Sequence, residues 1–546
     1  MARMEIPLAA EAGQGMVVAS HYLAAQAGQE ILRAGGNAVE AALTAAAVIA
    51  VVYPHMNSIG GDNFWLFYDA GTGQMRGING SGRSGRNVSI ETYHNLGCAA
   101  IPVRGYLAAN TVPGAVSGWE MAFRYSQMQM GGHQTWASLL EPAIRLAADG
   151  FAISEAQVRW TKTNLDTEDK IFRNLQRFPG FCRTFLKPDG SLYDIGERFC
   201  QPELASSLSC IAHEGAGAFY RGCLAQRIAA DLQAHGGLLD QTDFCGHRAE
   251  WMEPITVPYR DLTAWNLPPN TQGMASLEIL NILQHQELAA IREGSADYYH
   301  LLIEAVKQAF ADRDRWLTDP DFVDIPVDKL LSSEHGAQLQ QRISMATAAP
   351  NVRPLDPQGD TIWLGVVDAQ GNAVSLIQSI YHDFGSGIVV DGTGITLQNR
   401  GSFFSLDPHQ VNCLMPLKRT FHTLNPAMLL RDGRPYMVYG TMGGEGQPQT
   451  QAALVTRIVD YGFDAARAVD APRWLYGRSW GNASNDLKLE GRIPLAVQQE
   501  LARRGHHVRV LEDYTELMGH AGVILRTKNG WQGSADPRSD GMAAGV

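Results

Sequence analysis

The stretch PQGDTIWLGVVDAQGNAVSLIQSI, Pro357–Ile380, decides how this chain is read. Its first residues close a polar run, 346–360, that holds three prolines, one glycine and few apolar side chains and reads as a linker. At Thr361 the character changes to a strand, a polar turn and a second strand. Threonine is favoured at strand starts, so its place there needs no function. It also has a chemical use. A threonine hydroxyl inside a chain is a poor nucleophile, but once the bond before it is cut, the freed α-amino group is a general base on the same residue. That amine titrates at roughly 7.7–8.0, suited to neutral pH. Gly359-Asp360 would let a new N-terminus move clear.

A second stretch complements the first. YGTMGGEGQPQTQAALVTRIVDYG, Tyr439–Gly462, runs from an apolar strand through Gly443-Gly444 into a helix with Pro448 near its first turn. Read alone, the glycines are a tight turn that needs positive φ. They also bare backbone N–H groups beside a helix N-terminus, a standard way to hold a developing oxyanion.

Outward from these, residues 20–53 read as two helices broken at Ala34–Asn37, with Asn37 and Glu40 placed to cap the second. Asn63–Tyr68 and Gln74–Asn79 read as a hairpin, as do the runs around Asp432-Gly433 and Asn529-Gly530. From Pro113 to about residue 345 the pattern reads as mostly helical. Helices are expected again at Pro448–Tyr461 and Leu495–Arg504. Strand pairs from both ends with helices between them imply one sheet-containing core covered by helices. GSGRSG, Gly80–Gly85, fits a dinucleotide-loop pattern, but no helical stripe follows and no acid stands where the ribose ligand belongs, so it reads as a plain loop.

The 546 residues carry a net charge of −12 and no basic block, which argues against a nucleic-acid partner. The seven cysteines form no CxxC pair and suggest a reduced, cytoplasmic chain. The sixteen histidines show no HExxH-like spacing, so no metal is expected. No apolar leader opens the sequence, and its most apolar segment, Ala38–Pro54, is short and carries Glu40, so it reads as a buried helix rather than a membrane span. No G-x-S-x-G elbow is present.

Over nearly its whole length the chain resembles the γ-glutamyltransferase family of N-terminal-nucleophile hydrolases. The stretches that carry the resemblance include MVVASHYLAAQAGQEILRAGGNAVEAA, IGGDNFWLFY, TVPGAVSGWE, LPPNTQGMASLEILNIL, EAVKQAFADRDRWLTDPDFVDIPVDKLLS, DGTGITLQNRGSFFS and ADPRSDG. The resemblance implies an α+β fold, a four-layer αββα sandwich, made as a proenzyme that cuts itself before the nucleophile. Thr361 takes that position, giving a large subunit, 1–360, and a small subunit, 361–546, that together form one domain and one heterodimer, itself able to pair into a dimer of heterodimers. Ser379 falls where the family has a threonine supporting the nucleophile, and Gly443 and Gly444 match its oxyanion pair. No cofactor is implied.

The departures concern the substrate. Ser81 stands where family transferases have a carboxylate-binding arginine, with Arg83 close by. His422 and Thr423 replace two adjacent serines. Arg400 and Phe403 replace the glutamine and acid that hold the substrate's amino group, and Tyr381 replaces an asparagine. The amino-binding end has lost an acid and gained a cation, so it repels an ammonium and welcomes a carboxylate. The expected substrate is a small amide that bears a carboxylate. This points towards those members of the family that hydrolyse oxamate in purine catabolism. The alternatives are a γ-glutamyl hydrolase or transferase, a β-lactam side-chain acylase, and an inactive ligand-binding homologue.

Overall fold

The computed structural model describes residues 7–350, 360–477 and 484–546. The linker's residues 351–359 lie outside that set. The Thr361 hairpin is present: strand Asp360–Val367 pairs antiparallel with Ala373–Tyr381. It is the centre of a seven-stranded antiparallel sheet. Met16–Ala19 and Met542–Gly545 continue it on one side, and Asp62–Asp69, Gln74–Gly80 and Glu250–Met252 on the other.

A second seven-stranded sheet is built from Ala9–Ala12, Gly530–Ala535, Ala521–Thr527, Arg434–Thr441, Ala427–Arg431, Leu262–Asn266 and Ile255–Tyr259. The turn between Ala427–Arg431 and Arg434–Thr441 has φ of 50° at Asp432 and 73° at Gly433. Positive φ at both central residues is the geometry that matches strand twist. The stretch 113–345 is mostly helical, as expected, with the hairpin Ile255–Tyr259/Leu262–Asn266 as an exception that joins the second sheet.

The period of two along the Thr361 strand sorts its side chains between layers. Ile362, Leu364 and Val366 pack with the helices Tyr22–Arg33 and Ala38–Val52. Trp363 and Val367 face the second sheet, where they meet Met428, Val438 and Ile524. On that sheet's far side lie helices Gly273–Gln284, Ala296–Trp316 and Gly446–Val459. The result is the helix–sheet–sheet–helix sandwich expected. Two glycines admit Trp363 to the gap: a β-carbon would fall 2.1 Å from its ring at Gly440 and 2.2 Å at Gly522. Asn37 and Glu40 form a full capping box on Ala38–Val52. Gly80–Gly85 ends a strand and enters a loop; the next helix, Ile90–Asn95, was not expected from the sequence, but it opens only five residues beyond Gly85 and not on the glycine loop itself.

Candidate active site

The ladder around Thr361 is irregular. Asp360 pairs with Tyr381 but Ile362 with Gln378, so Ser379 and Ile380 together oppose Thr361. Such a bulge re-aims side chains. Here Thr361 Oγ1 donates to Ser379 Oγ at 3.3 Å. The same oxygen accepts the Tyr381 backbone N–H at 2.8 Å. Tyr381 sits at φ 80°, a conformation an aromatic residue adopts only under constraint. Thr361 is fully buried.

The strained backbone at Tyr381 places its ring under Arg400, whose guanidinium carbon lies 3.7 Å from the ring centroid. Arg400 opens a short 3₁₀ turn, Arg400–Phe403, and is 1% exposed. Its Nη2 donates to Thr423 Oγ1 at 3.1 Å, while Nε and Nη1 have no hydrogen-bond partner. Burial pulls its pKa down to about 10, still well charged at neutral pH, with Tyr381 and Asp62 acting to raise it. A buried guanidinium with open donors suits a planar anion. Phe403, half-buried, stands 6.1 Å from Tyr381 and 4.9 Å from Phe421, ring to ring.

His422 is not free to reach a ligand through Nε2, which faces Asp62 Oδ2 at 3.2 Å. Asp62 Oδ1 also accepts from Gly82 N, Gly114 N and Gln398 Nε2. Desolvation nevertheless raises the Asp62 carboxyl to about 7, and holds His422 neutral by pushing its pKa well below the usual value. Ser81 is buried beside this pair, its Oγ bonded to Asn79 Oδ1 at 2.6 Å. Arg83 does not join the group. It is held by Asp319, Asp321 and Glu250 at 3.1, 2.6 and 3.4 Å, which removes it from a substrate-carboxylate role.

The glycine pair follows the second sheet's strand Arg434–Thr441, opposite the Thr361 strand across the Trp363–Gly440 contact. Gly443 has φ 114° and Gly444 φ 52°, so both need glycine. They lead into helix Gly446–Val459, whose N-terminus adds positive potential. Two residues that the sequence left unassigned brace this turn. Gln272 Nε2 donates to Gly444 O at 2.8 Å and to Thr423 O at 2.7 Å, joining the glycine turn to the Arg400 partner. Arg313, 1% exposed, donates to Gln272 Oε1 at 3.4 Å and pairs with Glu445 at 2.8 Å. Both lie in stretches that carry the family resemblance, which was their only signal.

A hydroxyl at a strand start, a second hydroxyl aligned on it, a glycine turn at a helix N-terminus and a buried cation are groups that acyl transfer would require. Residues 24–546 match the gamma-glutamyltranspeptidase family, and the chain belongs to it. It is therefore a self-processed N-terminal-nucleophile hydrolase of amide C–N bonds. It is 47% identical over 533 residues to an oxamate amidohydrolase proenzyme of Klebsiella pneumoniae, covering 97% of this chain and 98% of that one. A glutathione hydrolase-like YwrD proenzyme of Bacillus subtilis is 46% identical with the same coverage. The solved cephalosporin acylase of Bacillus halodurans superposes with a TM-score of 0.89 at 36% identity, over 100% of this chain and 98% of that one. No helix among the described residues is long and apolar enough to cross a membrane.

Proposed function

We propose that the chain cuts itself between Asp360 and Thr361 and that the mature enzyme hydrolyses a small amide bearing a carboxylate, with oxamate the best-fitting substrate and oxalate and ammonia the products. The observation that carries the substrate is Arg400: a buried charge with two open donor nitrogens, joined to the Thr361 hydroxyl by three contacts that run through Tyr381 and Ser379. Leaving those donors unpaired is costly, so a ligand that pairs them is favoured over one that cannot. An α-ammonium in the same place would meet repulsion.

In this reading Thr361 Oγ attacks the amide carbonyl while its own α-amine takes the hydroxyl proton. Ser379 Oγ aligns the attacking hydroxyl. The Gly443 and Gly444 N–H groups hold the oxyanion, each worth about 3 kcal/mol to the transition state. The amine returns its proton to the departing ammonia, leaving an acyl-threonine ester. Water, deprotonated by the same amine, then releases the acid and restores the hydroxyl. Arg400 fixes the carboxylate, and Tyr381, Phe403 and His422 limit the space beyond it. Similarity to the Klebsiella pneumoniae protein supports the same substrate. A cytoplasmic place in purine catabolism belongs to this reading.

The test is ammonia release from oxamate by purified wild-type protein and by Thr361→Ala, set beside release of the chromophore from a γ-glutamyl anilide and of the side chain from a cephalosporin. Turnover of oxamate alone is expected. Turnover of the anilide or the cephalosporin without oxamate would overturn the substrate.

A further inference from the structure

Away from this site, three side chains on three helices converge. Glu278 is on Gly273–Gln284, Asp312 on Ala296–Trp316 and His335 on Ser333–Gln341. Their ligand atoms all lie within 4.8 Å of one another. His335 Nε2 is 2.7 Å from Asp312 Oδ2 and 3.5 Å from Glu278 Oε1.

Glu278 is the anomaly. Its side chain is 0% exposed, on a helix whose Leu277, Ile279, Leu280 and Ile282 belong to the outer helix core. Neither carboxylate oxygen has a hydrogen-bond partner outside this trio. Two acids sharing a buried corner cannot both ionise unless something positive stands between them.

The spacing suits a cation. Donors about 2.1 Å from a metal stand about 3.0 Å apart at an octahedral edge and about 3.4 Å at a tetrahedral one. The two observed separations, 2.7 and 3.5 Å, bracket those values. Two carboxylates and a neutral imidazole cancel the charge of one dication. The mixed N/O set suits Mn(II) to Zn(II) rather than calcium, which takes six to eight oxygens. The Asp312 and His335 side chains are 20% and 17% exposed, leaving an entry path and room for water to complete the shell.

We propose that Glu278, Asp312 and His335 form a binding site for one divalent transition cation, Mn(II) to Zn(II) in character, that clamps the three helices together. The ligands come from separate helices, which is why no spacing motif announced them. The clamp would also tie together the helices that carry the brace of the glycine turn. Gln272 immediately precedes the Glu278 helix, and Arg313 follows Asp312.

The full-length protein is dialysed against a chelator and titrated with Mn(II), followed by electron paramagnetic resonance, and with Zn(II), followed by metal analysis. A Cys223→Ser background removes a second thiophilic cluster, in which Cys210 and Cys223 lie 3.4 Å apart. One equivalent per chain and a raised Tm are expected. Asp312→Asn and His335→Gln, at partly exposed positions and with the buried Glu278 left in place, should bind at least about tenfold more weakly. Glu278→Gln should do the same where circular dichroism shows a native fold. Failure of the wild type to take up either metal, or uptake unchanged in both Asp312→Asn and His335→Gln, overturns the site.

Discussion

Thr361 Oγ1 and Ser379 Oγ are 3.3 Å apart because the Ser379 strand carries one residue more than its partner at this point. The bulge delivers a hydroxyl to the nucleophile position from the neighbouring strand, and the Tyr381 N–H fixes its orientation. Thr361→Ala should remain a single chain by intact-mass analysis, with amidase activity down by at least about a thousandfold. Ser379→Ala should cut itself slowly and lose about ten- to a hundredfold in kcat, while Ser379→Thr, which keeps the hydroxyl, should recover both. Full processing of Thr361→Ala would remove Thr361 from the self-cleavage step.

Arg400 is held on three sides, by the Tyr381 ring, Thr423 Oγ1 and the Asp62 charge. Two of its donors remain open. Arg400→Ala should raise KM for a carboxylate-bearing amide about a hundredfold, close to 3 kcal/mol. Arg400→Lys should recover little of it, because an ammonium can neither stack on Tyr381 nor bind in bidentate fashion. The same variants should leave KM for the corresponding uncharged diamide nearly unchanged. Steady-state kinetics on that substrate pair separates loss of a carboxylate contact from general damage, and equal losses on both would defeat the assignment.

The glycine turn depends on residues distant in sequence. Arg313 fixes Glu445 and Gln272, and Gln272 holds the Gly444 carbonyl. Gly443→Ala, at φ 114°, should lower kcat by about a hundred- to a thousandfold with little change in KM, the signature of a lost transition-state contact. Gln272→Ala should lower kcat by about tenfold by letting the turn move. A change in KM alone for either variant would place the oxyanion donors elsewhere.

What could be read in advance divides along locality. The Thr361 hairpin, the Asp432-Gly433 turn and the Asn37/Glu40 capping box are written in adjacent residues, and each formed as read. The strands Ile255–Tyr259 and Leu262–Asn266 were hidden. They are five residues each, one holds Pro258, and their turn takes positive φ at Arg260 rather than at a glycine. The strand that ties them to the sheet, Ala427–Arg431, pairs with Leu262–Asn266 and is far along the chain. Long-range capture also decided Arg83, drawn off by Glu250, Asp319 and Asp321. Gln272, Arg313 and Asp62 have meaning only through such contacts. Ser379 and Arg400 were legible through family resemblance, not through any local pattern.

Two buried groups should tilt stability with pH in opposite directions. Asp62 is raised to about 7 from an ordinary value near 3.8. Between those values the unfolded chain gives up a proton that the folded one keeps, so its contribution falls as pH rises and is fully lost above about 7. Asp62→Asn cannot titrate, and relative to this variant the wild type should lose up to about 4 kcal/mol across that window. His520 is the reverse. It is buried without a partner for either ring nitrogen and lowered to about 4, chiefly by desolvation, with Arg473, Arg159 and Arg538 adding to the effect against Asp536. Below its ordinary value of about 6.5 the unfolded chain takes up a proton first, so stability falls with acid down to about pH 4. Relative to His520→Asn the wild type should therefore lose up to about 3 kcal/mol on acidification. Urea unfolding of the three proteins from about pH 4.5 to about pH 8 reads both slopes as differences. The Asp62 difference should rise where the His520 difference falls, and curves that run parallel to the wild type would show that neither group titrates in the folded protein as its burial requires.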